Sequence, residues 1–355
     1  MMNEEYQKRD NEEQSIAHEE SGAAQLNNLQ SAGAGAAYYH GEQGRINLHG
    51  NRMSSGRRFS PRTILIPLGF MILHFLVINV VAIVVLIFAL IIGSGGALDM
   101  NALADPEYIN QLIIERNSQI TVFYALAILP VYLIYIYFAR RKRPDTVFIK
   151  RAGILDFLPS LAIMVGTMGL TNLYFVLLTQ IAENNGFIAK LMKDYEELSA
   201  LAFSTDTDYL WLILGIGIAA PVVEELLFRG IIQGELRQAM PEWAAVVVQA
   251  ALFAAFHMQP IQSSYVLLPG LMLGAAYAWT KSLWVPIIMH IFFNLLGSLV
   301  PSLIQSDEML QQIVIITEVA FVPVAIAAGV FMFLRSRKKK SEQSIGGSTV
   351  YEPSL

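Results

Sequence analysis

The sequence predicts an all-α fold: a polytopic bundle of about eight membrane helices preceded by a disordered tail. Three observations predict it. Of 355 residues, 54% are hydrophobic and only 15% are charged, whereas a soluble domain carries about a quarter charged residues. Runs of about twenty apolar residues recur, each long enough to cross a hydrocarbon core of roughly 30 Å. Basic residues collect in every second connection between those runs, which is the pattern that orients membrane helices.

Residues 1–60 are rich in Gln, Asn, Glu, Ser, Gly and Ala and show no apolar period. Such a stretch cannot bury enough surface to offset its ordering entropy, so it reads as a disordered cytoplasmic tail. It has no short apolar core of the kind a secretory signal needs. His18, His40 and His49 fall in it without a repeating spacing, so they do not read as a metal site. The transmembrane domain covers 61–340, and 341–355 form a short cytoplasmic tail.

Within that domain the apolar runs lie near 64–92, 119–139, 157–181, 209–232, 243–258, 264–280, 283–304 and 312–334. Arg52, Arg57, Arg58 and Arg62 precede the first. Arg140, Arg141, Lys142, Arg143, Lys150 and Arg151 lie between the second and third. Arg237 and Lys281 mark the next two basic connections, and Arg335, Arg337, Lys338, Lys339 and Lys340 follow the last. The connections near 93–118, 182–208 and 305–311 are acidic or neutral and read as loops. Both termini are therefore expected on the cytoplasmic side of a plasma membrane, with a bacterial host the better fit. Gly93-Ser-Gly-Gly96 reads as a helix stop.

Three stretches place polar side chains where lipid should be: Pro221-Val-Val-Glu-Glu-Leu-Leu-Phe-Arg229, Phe253-Ala-Ala-Phe-His257 and His290-Ile-Phe-Phe-Asn294. An ionisable group near the bilayer centre costs a few kcal/mol, so each is a functional candidate. Glu225 and Arg229 are one helical turn apart and can pair. Glu224 is rotated roughly 100° from Glu225, so it must find a partner on another helix and is free to act as a general base. His257 shares a face with Phe253, and His290 with Asn294. The Asn294 carboxamide offers donors for a developing oxyanion. His74, in the first run, reads instead as a histidine that bonds a neighbouring helix.

Glu-Glu-x-x-x-Arg, Phe-x-x-x-His and His-x-x-x-Asn, in that order on successive membrane helices, resemble the CAAX-protease and bacteriocin-processing (Abi) family of intramembrane proteases. The resemblance covers about 155–305. It implies an endopeptidase in which Glu224 and His257 activate water, His290 and Asn294 form the oxyanion site, and Glu225 and Arg229 hold the constellation. The implied substrate is a membrane-associated or C-terminal peptide; the bilayer is the other partner, and nucleic acid is not one. The family leaves zinc possible, with Glu224, His257 and His290 as the ligand types. No His-Glu-x-x-His pair fixes such a site, which favours a metal-free glutamate mechanism.

Other chemistries fit less well. The chain has no cysteine, so disulfides, thiolate metal sites and cysteine nucleophiles are excluded. Asp99, Asp105, Asp206 and Asp208 sit in loops, so no intramembrane aspartyl pair is visible. The alternative is an ion- or proton-coupled transporter, which also uses buried carboxylates and histidines, but the first half shows no repeat of the motif-bearing half. Depth is the demanding condition. His257 lies about 21 Å along its run and His290 only about 12 Å along its own, at about 1.5 Å per residue. The two meet only if the helices start at different depths or bend, for which Gly230, Gly234 and Pro286 provide.

Overall fold

The computed structural model describes residues 59–96, 99–202, 208–304 and 306–346. Each of the eight apolar runs is helical. We label the helices α1 (Pro61–Gly93), α2 (Asn117–Lys142), α3 (Ile154–Ala182) and α4 (Gly186–Ala202). Next come α5 (Tyr209–Ala239), α6 (Glu242–Phe256), α7 (Pro260–Thr280) and α8 (Trp284–Ile304), followed by α9 (Glu308–Ala320) and α10 (Val322–Gly346). Among the described residues there is no strand, and the tail expected over 1–60 lies outside them apart from residues 59 and 60.

Helices α1, α2, α3, α5, α8 and the α9–α10 pair are long and apolar enough to cross a membrane. α1 opens with Pro61 at its first position, where a missing N–H costs nothing. It stops at Gly95 and Gly96, whose φ of 76° and 110° suit glycine. The fifth run differs from expectation. α6 has 15 residues, roughly 22 Å at the usual rise, and it turns back at once into α7. Met258 takes a left-handed φ of 55° at the turn, and the Gln259 side chain accepts from Gln262 N to start α7. At the other end, α10 runs six residues past the expected tail boundary at 340.

Two expected loops also contain helix. Asp99 and Asp105 cap the short helices Met100–Leu103 and Pro106–Glu115 by accepting backbone N–H bonds, and Asp208 caps α5 in the same way. Asp206 lies outside the described residues. In α4, Ile188, Leu191, Met192 and Tyr195 recur at helical spacing and pack on Leu178, Ile261 and Tyr265. The charged residues between them hid this amphipathic helix from a reading of hydropathy alone.

The core forms where α2 crosses α5: Tyr124, Ile128 and Tyr132 pack against Val223, Leu227, Phe228 and Ile231. Below it, the α2–α3 connection pairs with the α7–α8 turn through Lys150 N to Lys281 O at 3.0 Å and Leu283 N to Phe148 O at 3.1 Å. Arg143 and Glu235 form an ion pair that ties α2 to the end of α5. On the other side α3 receives α9 and α10 closely, because Gly166 and Gly169 have no Cβ to hold them off.

Candidate active site

The sequence of α5 forces an irregular helix around the two glutamates. Pro221 has no N–H and its ring crowds the carbonyl of the preceding turn. The helix accommodates it with a wider π turn over Ile213–Ala219, regains α geometry over Ala220–Glu225, and widens again over Leu226–Ile232. Such π segments concentrate at functional sites because each re-aims the side chains beside it. Gly215 and Gly217 let the first π turn press against Ser118 of α2 and Leu295 of α8.

Glu225 and Arg229 are fully buried and paired, Arg229 Nη1 donating to Glu225 Oε1 at 2.6 Å. The same carboxylate oxygen accepts from His290 Nδ1 at 2.7 Å. The other ring nitrogen, Nε2, lies 3.8 Å from Glu224 Oε2. Glu224 is the more open of the two acids, its side chain 20% exposed against 0% for Glu225. The two carboxylates therefore divide as their rotation around α5 requires: one neutralised inside, one facing a wetter space.

Arg229 Nη2 also donates to the Gly270 carbonyl on α7 at 2.9 Å, and its guanidinium lies 4.7 Å from the centre of the Phe253 ring. Phe253 is a spacer between the two histidines, its ring 4.8 Å from that of His257 and 5.8 Å from that of His290. His257 ends α6 rather than lying within it, with Nδ1 donating to Phe253 O at 2.9 Å. His257 at the end of α6 and His290 in the second turn of α8 thus meet the same ring, that of Phe253.

Asn294, one turn beyond His290, spends one amide N–H on Ile216 O at 2.8 Å, a carbonyl of the first π turn. That bond leaves it a second N–H and its oxygen. Glu224, Glu225, Arg229, His257, His290 and Asn294 are linked in this way directly, through Phe253, or through the π turn that leads into Glu224.

The candidate zinc ligands were Glu224, His257 and His290. Among the described residues no three of His, Asp and Glu come together in a way that could hold a metal. His257 has Nδ1 committed to its own helix, and His290 has both nitrogens turned to different carboxylates.

Sequence reasoning missed two supports. Gly270 offers a carbonyl that takes both Arg229 and the Gln249 amide, the latter at 3.1 Å. Gln249 is fully buried; a carboxamide one turn before Phe253 in an apolar run was the readable signal. His74 meets its expectation, bonding Tyr132 of α2 through Nδ1 at 2.9 Å.

With this geometry in place, comparison with known proteins says what the site-bearing segment is similar to. Residues 206–296, which hold all three polar stretches, match the model of the Rce1-like type II CAAX prenyl endopeptidases. The match is to the part of the chain that carries the family resemblance read from the sequence. One relative is the "Putative membrane peptidase YdiL" of Bacillus subtilis (strain 168), 30% identical over 83 residues. That alignment covers 23% of this chain and 34% of the relative, so the chain spans about a third of the length of the curated relative it matches. No solved structure matches the chain. That likeness and the six helices long and apolar enough to cross a membrane among the described residues make it a multi-pass membrane protein.

Proposed function

We propose that this protein is an intramembrane endopeptidase that hydrolyses a peptide bond of a membrane-associated or C-terminal peptide. Glu224 takes a proton from water as the water oxygen attacks the scissile carbonyl, and His257 steadies that water through its free Nε2. The carbonyl electrons move onto oxygen, where the Nε2–H of His290 as an imidazolium and the spare amide N–H of Asn294 receive them. Glu224 then passes its proton to the departing amine as the C–N bond breaks. Glu225 accepts from His290 Nδ1 and, with Arg229, keeps that ring aimed.

The observation that carries this reading is the chain Arg229–Glu225–His290–Glu224 inside the segment matched by the family model. A buried ion pair alone would explain Glu225 and Arg229. It would not explain a second, partly exposed carboxylate facing the same imidazole. We further place the protein in a bacterial plasma membrane with both termini cytoplasmic, supported by the basic ends of α2 and α10.

The reading is tested by comparing membrane peptidomes of cells carrying the wild-type protein and Glu224→Gln. Peptides truncated only with the wild-type protein support it. Identical peptidomes together with proton-linked flux through the wild-type protein would replace it with a carrier.

A further inference from the structure

Three helices change from apolar to charged at one place away from the glutamates. α10 leaves its apolar run at Leu334 for Arg335, Arg337, Lys338 and Lys339. α7 ends in Trp279 and Thr280, followed by Lys281, and α3 begins just after Lys150 and Arg151. Where the three meet, a cavity opens between them, with Asp156, Trp279, Met332, Arg335 and Lys339 in its walls. A change from apolar to basic residues marks the level where hydrocarbon gives way to headgroups, and tryptophan favours that level. Trp279 meets Phe333 edge-on there, the ring centres 6.5 Å apart.

The cavity carries more positive charge than its one carboxylate balances. Arg335 Nη1 donates to Asp156 Oδ1 at 2.6 Å and to Leu155 O at 2.8 Å, tying α10 to the start of α3. The other Asp156 oxygen, Oδ2, accepts from Gly153 N at 3.0 Å. Lys339 Nζ stands 3.8 Å from Asp156 Oδ1, with its side chain 50% exposed. So long and open a pair contributes little to stability, so the tie between helices explains Arg335 and not Lys339. The hydroxyls of Thr280 and Ser336 donate to carbonyls of their own helices, which leaves recognition to charge. Beside the cavity, Leu155, Leu158 and Leu334 are exposed apolar surface.

We propose that this cavity binds the phosphate of an anionic phospholipid. Lys339 and Arg335 hold the phosphate, Trp279 packs against the glycerol region, and the acyl chains lie along Leu155, Leu158 and Leu334. Basic pockets between membrane helices take such headgroups on the cytoplasmic side, and arginine and lysine are the usual partners of phosphate. None of the residues that line the cavity belongs to the site around Glu224, so the proposal stands without the peptidase reading.

The test adds phosphatidylglycerol, phosphatidylcholine or inorganic phosphate to the full-length protein in detergent micelles and counts bound molecules by native mass spectrometry. Phosphatidylglycerol should bind at least about fivefold more tightly than phosphatidylcholine, and Lys339→Gln should weaken it by at least about fivefold. Lys338→Gln makes the same charge change at the neighbouring exposed residue, outside the cavity. It should leave binding within about twofold of wild type. Matching thermal unfolding of the three proteins checks that both variants are folded. Equal losses in the two variants would reduce the effect to diffuse surface charge and overturn the site. Equal retention of the two lipids would overturn it as well. Inorganic phosphate bound with the same dependence on Lys339, while phosphatidylglycerol is not retained, would overturn the lipid as ligand.

Discussion

His290 donates Nδ1–H to Glu225 at 2.7 Å, and Glu225 belongs to a buried ion pair rather than to the solvent-facing side of the site. This fixes the ring by its inner nitrogen and leaves the outer one for chemistry. A histidine so held keeps one orientation. The neighbouring acid, Glu224, sees only the outer nitrogen.

Breaking that inner pair should cost stability first. Glu225→Gln leaves the fully buried Arg229 with the Gly270 carbonyl and without its paired carboxylate. Removing one partner of a buried pair costs about 3–5 kcal/mol. Unfolding in mixed detergent micelles should show a loss of that order, well beyond the loss for Glu224→Gln.

Asn294→Ala removes both the anchor on Ile216 and the spare donor. If that donor serves the oxyanion, kcat should fall about 100- to 1,000-fold while KM changes little. Steady-state kinetics on a cleaved peptide check this; a rise in KM alone would assign Asn294 to binding.

The α3–α9 contact gives a prediction away from the site. A methyl group at Gly169 would overlap the backbone of Glu318, whose side chain accepts from Asn172 Nδ2 at 2.6 Å. Backbone cannot rotate away as a side chain can, so Gly169→Ala should destabilise by about 1–3 kcal/mol. The folded fraction should retain wild-type kcat, measured after removing aggregate.

Since no three His, Asp or Glu residues that could hold a metal ion gather among the described residues, 1,10-phenanthroline should leave cleavage unchanged at concentrations that strip catalytic zinc from metalloproteases. Inhibition reversed by added zinc would show that His257 and His290 rearrange to bind it.

The helices were readable because their apolar runs are long, and the site because polar groups are costly there and so stand out. Less legible was anything set by backbone irregularity. Pro221 hinted at a disturbed α5, but no local pattern encodes a second π turn over Leu226–Ile232 or the packing of the first on Ser118 and Leu295. His257 was read within a crossing run, whereas it ends a helix because the chain turns at Met258. α4 was read as loop because Lys190, Lys193, Asp194, Glu196 and Glu197 mask an apolar stripe that only tertiary packing uses.

The most direct measurement incubates purified wild-type protein and Glu224→Gln with a prenylated CAAX peptide in lipid vesicles and follows product by mass spectrometry. The account predicts one cleaved bond with wild type, a rate at least about 1,000-fold lower for the variant, and matching thermal unfolding of the two. Equal cleavage by both proteins would remove Glu224 from the chemistry and contradict the account.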